Sequence, residues 1–174
     1  KEVTANVEIN LYVKDGDTVK KGDVIAEVRG PAIPVLSGER VGLNLLQHLS
    51  GISTRTAEAC EAVKGYKAVI ADTRKTTPGM RVLEKYAVRV GGGSNHRFNL
   101  ADGVLIKDNH IEAAGGIANA VKMARENIPH TLKIEVEVET FPQLEEALAA
   151  KADIIMLDNM SNEEILEYIC KYSL

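Results

Sequence analysis

The chain has 174 residues, 45% of them hydrophobic and 26% charged, with a formal charge of −4. This is a soluble globular composition with enough chain for one sizeable core, and its charge argues against nucleic acid or a membrane surface as partner. Cys60 and Cys170 stand alone, no apolar run reaches the roughly 20 residues of a membrane helix, and the opening "KEVTANVEIN" does not read as a signal peptide, so a reduced cytoplasmic protein is expected.

The first thirty residues read as short strands. "ANVEINLYV" alternates, "DG" and "KKGD" mark turns, and "VIAEVRG" is a second run. The glycine-punctuated stretch follows the pattern of lipoyl- and biotinyl-carrier modules, but no lysine convincingly takes the place of their modified one. Residues 1–36 are therefore read as part of a small α+β sandwich domain. From Ser37 the period changes. Val41, Leu45, Leu49 and Ile52 fall on one helical stripe, so 37–64 is expected to be a long connecting helix. Gly51 lies within it and suggests a close packing contact; His48, beside the stripe, reads as a packed helix histidine.

After Gly65 strand and helix patterns alternate. "YKAVIAD" is a predicted strand, followed by the loop "TRKTTPG" and the helix "MRVLEKYAVRV". The loop "GGGSNHRFNLAD" leads to the strand "GVLIKD" and the helix "GIANAVKMAREN". "LKIEVEVE" is the third strand, and its helix opens on a Thr140/Gln143 capping box with Pro142 in the first turn. "DIIMLDN" is the fourth strand, before a second box at "SNEE". Four βα units imply parallel strands, and the glycine-rich stretch lacks dinucleotide-binding spacing. The fold class is α/β, an incomplete α/β barrel over residues 65–174 preceded by the small sandwich. A closed barrel takes about 250 residues and the chain does not open on a methionine, so it reads as truncated at both ends.

Charge is unevenly spread. From Asp72 to His110 there are seven Lys/Arg against four acids. A basic island in an acidic chain suits a small anionic ligand. Arg81, Lys85 and Arg89 read as solvated helix charges. Arg74, Lys75, Arg97 and Lys107 sit instead on loops and strand ends, where barrels keep their active groups. On "KIEVEVE", Ile134, Val136 and Val138 share one face while Glu135, Glu137 and Glu139 share the other. Acids on a buried strand are costly unless they meet cations or a metal. Glu137 and Asp158 are thus candidates for holding Mg²⁺ or ribose hydroxyls, and Glu135 for an internal ion pair.

The stretches "ERVGLNLLQHLSGISTRT", "DTRKTTPGMRVLEKYAVRVGGGSNHRFNLADGVLIKDNHI", "AAGGI", "LKIEVEVE" and "ADIIMLDNM", with the N-terminal piece "DGDTVKKGDVI", together resemble the quinolinate phosphoribosyltransferase family across nearly the whole chain. The resemblance implies a homodimer or larger assembly that transfers phosphoribose from phosphoribosyl pyrophosphate to quinolinate with decarboxylation, giving nicotinate mononucleotide, pyrophosphate and CO₂. It implies that Arg74, His96, Arg97 and Lys107 line the quinolinate site and that Lys75 meets the sugar donor. Glu137 and Asp158 would face its ribose and Mg²⁺, with Lys107, Glu137 and Asp158 as the catalytic set. Arg40 would reach the partner subunit's site. Rival readings are a related phosphoribosyltransferase with another acceptor, a Schiff-base aldolase using Lys107, and a carrier module.

Overall fold

The computed structural model describes residues 6–172 and divides into two compact units at Phe98/Asn99. Ala5, where the first predicted strand begins, lies outside the described residues.

In the first unit, β1 (Glu8–Leu11) and β2 (Ala26–Arg29) pair antiparallel, Glu8 opposite Arg29. Between them the sequence makes two similar turns, Lys14–Asp17 and Lys20–Asp23. In each, the aspartate N–H donates to the lysine carbonyl and its carboxylate accepts the lysine N–H at 2.8 Å. Gly16 and Gly22 sit third in these turns at φ of 92° and 100°, a region that glycine enters without steric cost.

Helix α1 (Ala32–Ala62) starts five residues before the expected Ser37. Pro34 is tolerated because it lies in the first turn, where backbone N–H groups have no intrahelical acceptor anyway. Of the predicted stripe, Leu45, Leu49 and Ile52 are half-buried, but Val41 is 64% exposed. Against α1 packs α2 (Arg81–Val90), with Ser53 Oγ donating to Ala87 O at 2.8 Å. Nothing lies within 4 Å of a Cβ placed on Gly51, so the expected close contact is not there. It is made from the other side: a Cβ on Gly91 would collide with the Ser53 carbonyl oxygen, and one on Gly93 would lie 2.8 Å from Thr56 Cγ2.

The predicted strand "YKAVIAD" is reduced to a single parallel bridge, Ala71 with Ser94, flanked by Ser94 N–H to Ile70 O and Asp72 N–H to Ser94 O. A strand exists only through its neighbours, and among the described residues of this unit only the 94–96 segment is supplied as one.

The second unit is a parallel sheet of β3 (Val104–Ile106), β4 (Ile134–Val138) and β5 (Ile154–Leu157), ordered as in sequence, with α4 (Ile117–Asn127), α5 (Phe141–Ala149) and α6 (Asn162–Tyr172) in the predicted places. No closed barrel forms among the described residues. Ile134, Val136 and Val138 are fully buried in one core with Ile106, Ile117 and Leu144, as their shared face requires. Gln143 N donates to Thr140 Oγ1, but the Gln143 side chain accepts the N–H of Glu139 and not of Thr140, so Thr140 caps the helix without closing the expected box. Glu164 and Ser161 satisfy each other reciprocally, and that box forms. The helix α3 (Asp108–Ala114) was not expected. His110 Nδ1 accepts the Lys107 N–H at its start, and Gly115 and Gly116, both at positive φ, end it. No described helix is long and apolar enough to cross a membrane.

Candidate functional site

The loop Thr73–Gly79 carries Arg74 and Lys75, and the segment after Ser94 carries His96 and Arg97. The structure brings these two stretches side by side through a network centred on Asp72. Its Oδ1 accepts Lys85 Nζ at 2.5 Å and the His96 N–H at 2.8 Å; its Oδ2 accepts Asn95 Nδ2 at 2.6 Å. Lys85 Nζ also donates to the His96 carbonyl at 3.0 Å. Lys85 is 3% exposed, which contradicts its reading as a solvated charge. A buried ammonium is tolerated only when paired and hydrogen-bonded, and Asp72 and the His96 carbonyl do both.

Arg81 is a correction of the same kind. Its Nη2 donates to the Arg74 carbonyl at 3.1 Å, its Nη1 to the Phe98 carbonyl at 3.2 Å, and its Nε to Thr76 Oγ1 at 3.1 Å. One planar guanidinium thus fixes the backbone beside both cation-bearing positions. Of the three supposed solvated charges only Arg89 is exposed, its guanidinium lying 5.9 Å from the Tyr86 ring centroid. Glu84, 8% exposed, accepts the Thr77 N–H at 3.1 Å and faces His48 Nε2 at 2.8 Å. The His48 hydrogen bond, then that from Thr77, holds the Glu84 carboxyl below the usual carboxylate range. His48 is therefore a half-exposed partner of Glu84 and not a packed residue of the α1 stripe.

Arg74 is half-buried, and its Nε is buried with no hydrogen-bond partner. An unmade hydrogen bond on a buried charged donor costs about 1–3 kcal/mol or more, which an anion seated there would recover. Arg40 lies exposed on α1, eight residues before His48, about 12 Å along the helix axis at 1.5 Å per residue.

In the second unit the acids and Lys107 gather at the C-terminal ends of the parallel strands. Register explains it: Ile106 pairs with Val136, setting Lys107 next to Glu137, and Val138 pairs with Leu157, setting Asp158 next to Glu139. Lys107 Nζ donates to Glu137 Oε2 at 2.5 Å. Asn159, at φ 52°, turns its amide onto Glu139 Oε1 at 2.6 Å and Asp158 Oδ2 at 3.2 Å. A cavity of about 170 Å³ is lined here by Asp108, Glu137, Glu139, Gln143, Asp158 and Asn159. Glu135, 7% exposed, lies deeper on the same strand.

Among the described residues, no three metal-ligating side chains are grouped to cage a cation. Mg²⁺ characteristically takes one or two carboxylates and completes its shell with water and substrate phosphates. Glu137, which gives Oε2 to Lys107, and Asp158 fit that sparser donor set.

The predicted residues therefore fall into two groups, Arg74, Lys75, His96 and Arg97 in one unit and Lys107, Glu137 and Asp158 in the other. Sequence reasoning missed Asp72, Arg81, Glu84, Lys85 and Asn95 as the frame of the first group. It also missed Glu139 and Asn159 beside the second. The spacing of Arg81, Glu84 and Lys85 puts them on one helix face, but a solvated face has the same spacing, so the sequence carried no distinguishing signal.

Known proteins match nearly the whole chain. The family described as "Quinolinate phosphoribosyl transferase, C-terminal domain" matches residues 52–172, and "Quinolinate phosphoribosyl transferase, N-terminal domain" matches residues 1–50. A protein of Bacillus subtilis (strain 168), "Probable nicotinate-nucleotide pyrophosphorylase (carboxylating)", is 57% identical over 94% of this chain and 56% of its own length. The Homo sapiens "Nicotinate-nucleotide pyrophosphorylase (carboxylating)" is 44% identical over 92% and 54%. Among solved structures, NadC from Streptococcus pyogenes aligns with a TM-score of 0.89 at 50% identity, covering 97% of this chain and 60% of that one. The Ehrlichia chaffeensis nicotinate-nucleotide pyrophosphorylase aligns at 0.92 and 43% identity, covering 97% and 61%. The chain belongs to the quinolinate phosphoribosyl transferase family, and it spans a little over half the length of the curated relatives it matches.

Proposed function

We propose that this chain serves phosphoribosyl transfer from phosphoribosyl pyrophosphate to quinolinate with decarboxylation, yielding nicotinate mononucleotide, pyrophosphate and CO₂, in a cytoplasmic homodimer. The observation that carries the reading is the buried, unpartnered Nε of Arg74 in the loop clamped beside His96 and Arg97. Guanidinium groups match carboxylates bidentately, so Arg74 and Arg97, with His96, suit a planar pyridine bearing two carboxylates. Lys75, a point charge on the same loop, suits the phosphates of the donor.

In the reaction the bond from the anomeric carbon to pyrophosphate breaks as the pyridine nitrogen forms its own. Positive charge develops on the ribose, and carboxylates at Glu137 and Asp158 stabilise it electrostatically. Glu137 and Asp158 would hold Mg²⁺, which would supply charge neutralisation for the departing pyrophosphate. Lys107 holds Glu137 in place through their ion pair, and as a cation it suits the negative charge that builds on the ring carbon losing CO₂ before a proton takes that place. The same pairing disfavours the Schiff-base reading, since the Lys107 amine is already engaged. Arg40 would complete the site of a second subunit.

Isothermal titration of quinolinate against nicotinate tests this reading. Quinolinate binds and nicotinate, with one carboxylate fewer, binds at least about tenfold more weakly; equal affinities refute the two-carboxylate clamp. Arg97→Ala raises the quinolinate KM more than that of the sugar donor, and the opposite pattern would exchange the two subsites. Loss of one such electrostatic contact typically costs about 10²–10³ in turnover.

A further inference from the structure

Helix α2 is built inside out. Val82 is 66% exposed, whereas Glu84 and Lys85 are buried and Arg81 is half-buried. Positions i, i+3 and i+4 lie together on one helix face, so the three charged side chains of the first turn point the same way. Each grips a different part of the cation-bearing loops. Arg81 takes the carbonyls of Arg74 and Phe98, Glu84 takes the Thr77 N–H, and Lys85 takes the Asp72 carboxylate together with the His96 carbonyl.

Nearly all of these contacts end on backbone atoms or on Asp72, which itself receives the His96 N–H. They fix the main chain that carries Arg74, Lys75, His96 and Arg97. Only the bridge at Ala71 and Ser94 joins the two stretches as a ladder would. Strand pairing therefore fixes the two stretches only where they start, and beyond that bridge the α2 side chains hold them.

We propose that Arg81, Glu84 and Lys85 are positioning residues: the first turn of α2 sets the distance between the two cationic loops, and through it the fit to a ligand with two carboxylates. The ligand class rests on the function proposed above; the positioning does not. Arg81 is the most informative of the three, because a single guanidinium spans both loops at Arg74 and Phe98. Removing it unties them from each other without leaving a buried charge unpaired.

The test uses Arg81→Gln and Lys85→Met, with Val82→Ser as a control on the exposed side of the same turn. Amide hydrogen exchange is read by NMR at Thr77 and His96 and compared with the sheet amides of Ile134 and Val136; quinolinate affinity is read by titration calorimetry. In Arg81→Gln and Lys85→Met, exchange at Thr77 and His96 is expected to quicken about tenfold to a hundredfold, with the sheet amides unchanged. Quinolinate affinity is expected to fall by a similar factor in Arg81→Gln at an unchanged unfolding midpoint, and Val82→Ser to match wild type in both readouts. Unchanged exchange at Thr77 and His96 overturns the proposal, as does faster exchange with undiminished affinity. If Lys85→Met fails to fold, Arg81→Gln alone decides. Should wild type bind no quinolinate, the functional reading fails, and the exchange comparison still decides whether α2 positions the loops.

Discussion

Replacing Gly91 by alanine should loosen the contact between α1 and α2. Gly91 has φ −75°, a conformation alanine accepts, so any penalty is steric. An added Cβ would collide with the Ser53 carbonyl oxygen and lie 2.7 Å from Thr56 Cβ and 3.1 Å from the Ser53 carbonyl carbon. Carbon atoms prefer about 3.5–4.0 Å, so α1 must retreat by roughly 0.8 Å. The obstacle is helix backbone, which cannot rotate away as a side chain would. That retreat stretches the 2.8 Å bond from Ser53 Oγ to Ala87 O beyond hydrogen-bonding range. Overpacking costs about 1–3 kcal/mol and the lost hydrogen bond about 1 more, so the expected loss is about 2–4 kcal/mol. At about 2–4 °C per kcal/mol for a chain of this size, melting falls by roughly 5–15 °C.

Gly51→Ala is the matched control, because nothing lies within 4 Å of its Cβ. Helix propensity alone then applies, and the change should stabilise by about 0.8–1 kcal/mol. Urea unfolding followed by far-UV circular dichroism measures both. A Gly91→Ala midpoint within error of wild type, or Gly51→Ala destabilising as much as Gly91→Ala, would refute this account of the helix contact.

Leu144, fully buried in the core of the second unit, should cost about 2–5 kcal/mol as alanine, read from the same urea transition. The Asp153 carboxylate is held below its usual range by the Ile134 N–H and then by Arg125, so its stabilisation is complete above the unfolded-state value of about 3.9 and is lost as pH falls through the lower folded value. Wild type and Asp153→Asn should therefore differ at pH 7 and converge by about pH 2; a gap that stays constant would mean the carboxylate's charge is not what matters. The same sign holds for Glu84, whose hydrogen bond to Thr77 should weaken on acidification, with Thr77 amide exchange quickening below about pH 4 in wild type and showing no such acid step in Glu84→Gln.

Much was readable along the chain because it depends on neighbours in sequence. The Thr140 cap, the Ser161 capping box, the alternation of Ile134, Val136 and Val138, and the βα order from Val104 onward follow from local periods and turn chemistry. The cationic loop residues stood out because proline, glycine and paired cations rarely crowd together without a purpose. Gly51 misled, since a helical glycine signals either a close contact or open space, and sequence cannot distinguish them. Helix α3 was hidden in seven residues whose start depends on a histidine side chain accepting a backbone N–H.

By itself the sequence determined the kinds of element, the parallel character of the sheet and the charges available at the strand ends. Only the tertiary structure decided which of those charges face inward. Lys85, Glu84 and Arg81 have the spacing of an ordinary solvated helix face, and they are buried because two loops without strand partners leave carbonyls, N–H groups and the Asp72 carboxylate to be satisfied. That demand arises from backbone brought together across distances in sequence, a quantity no local pattern records.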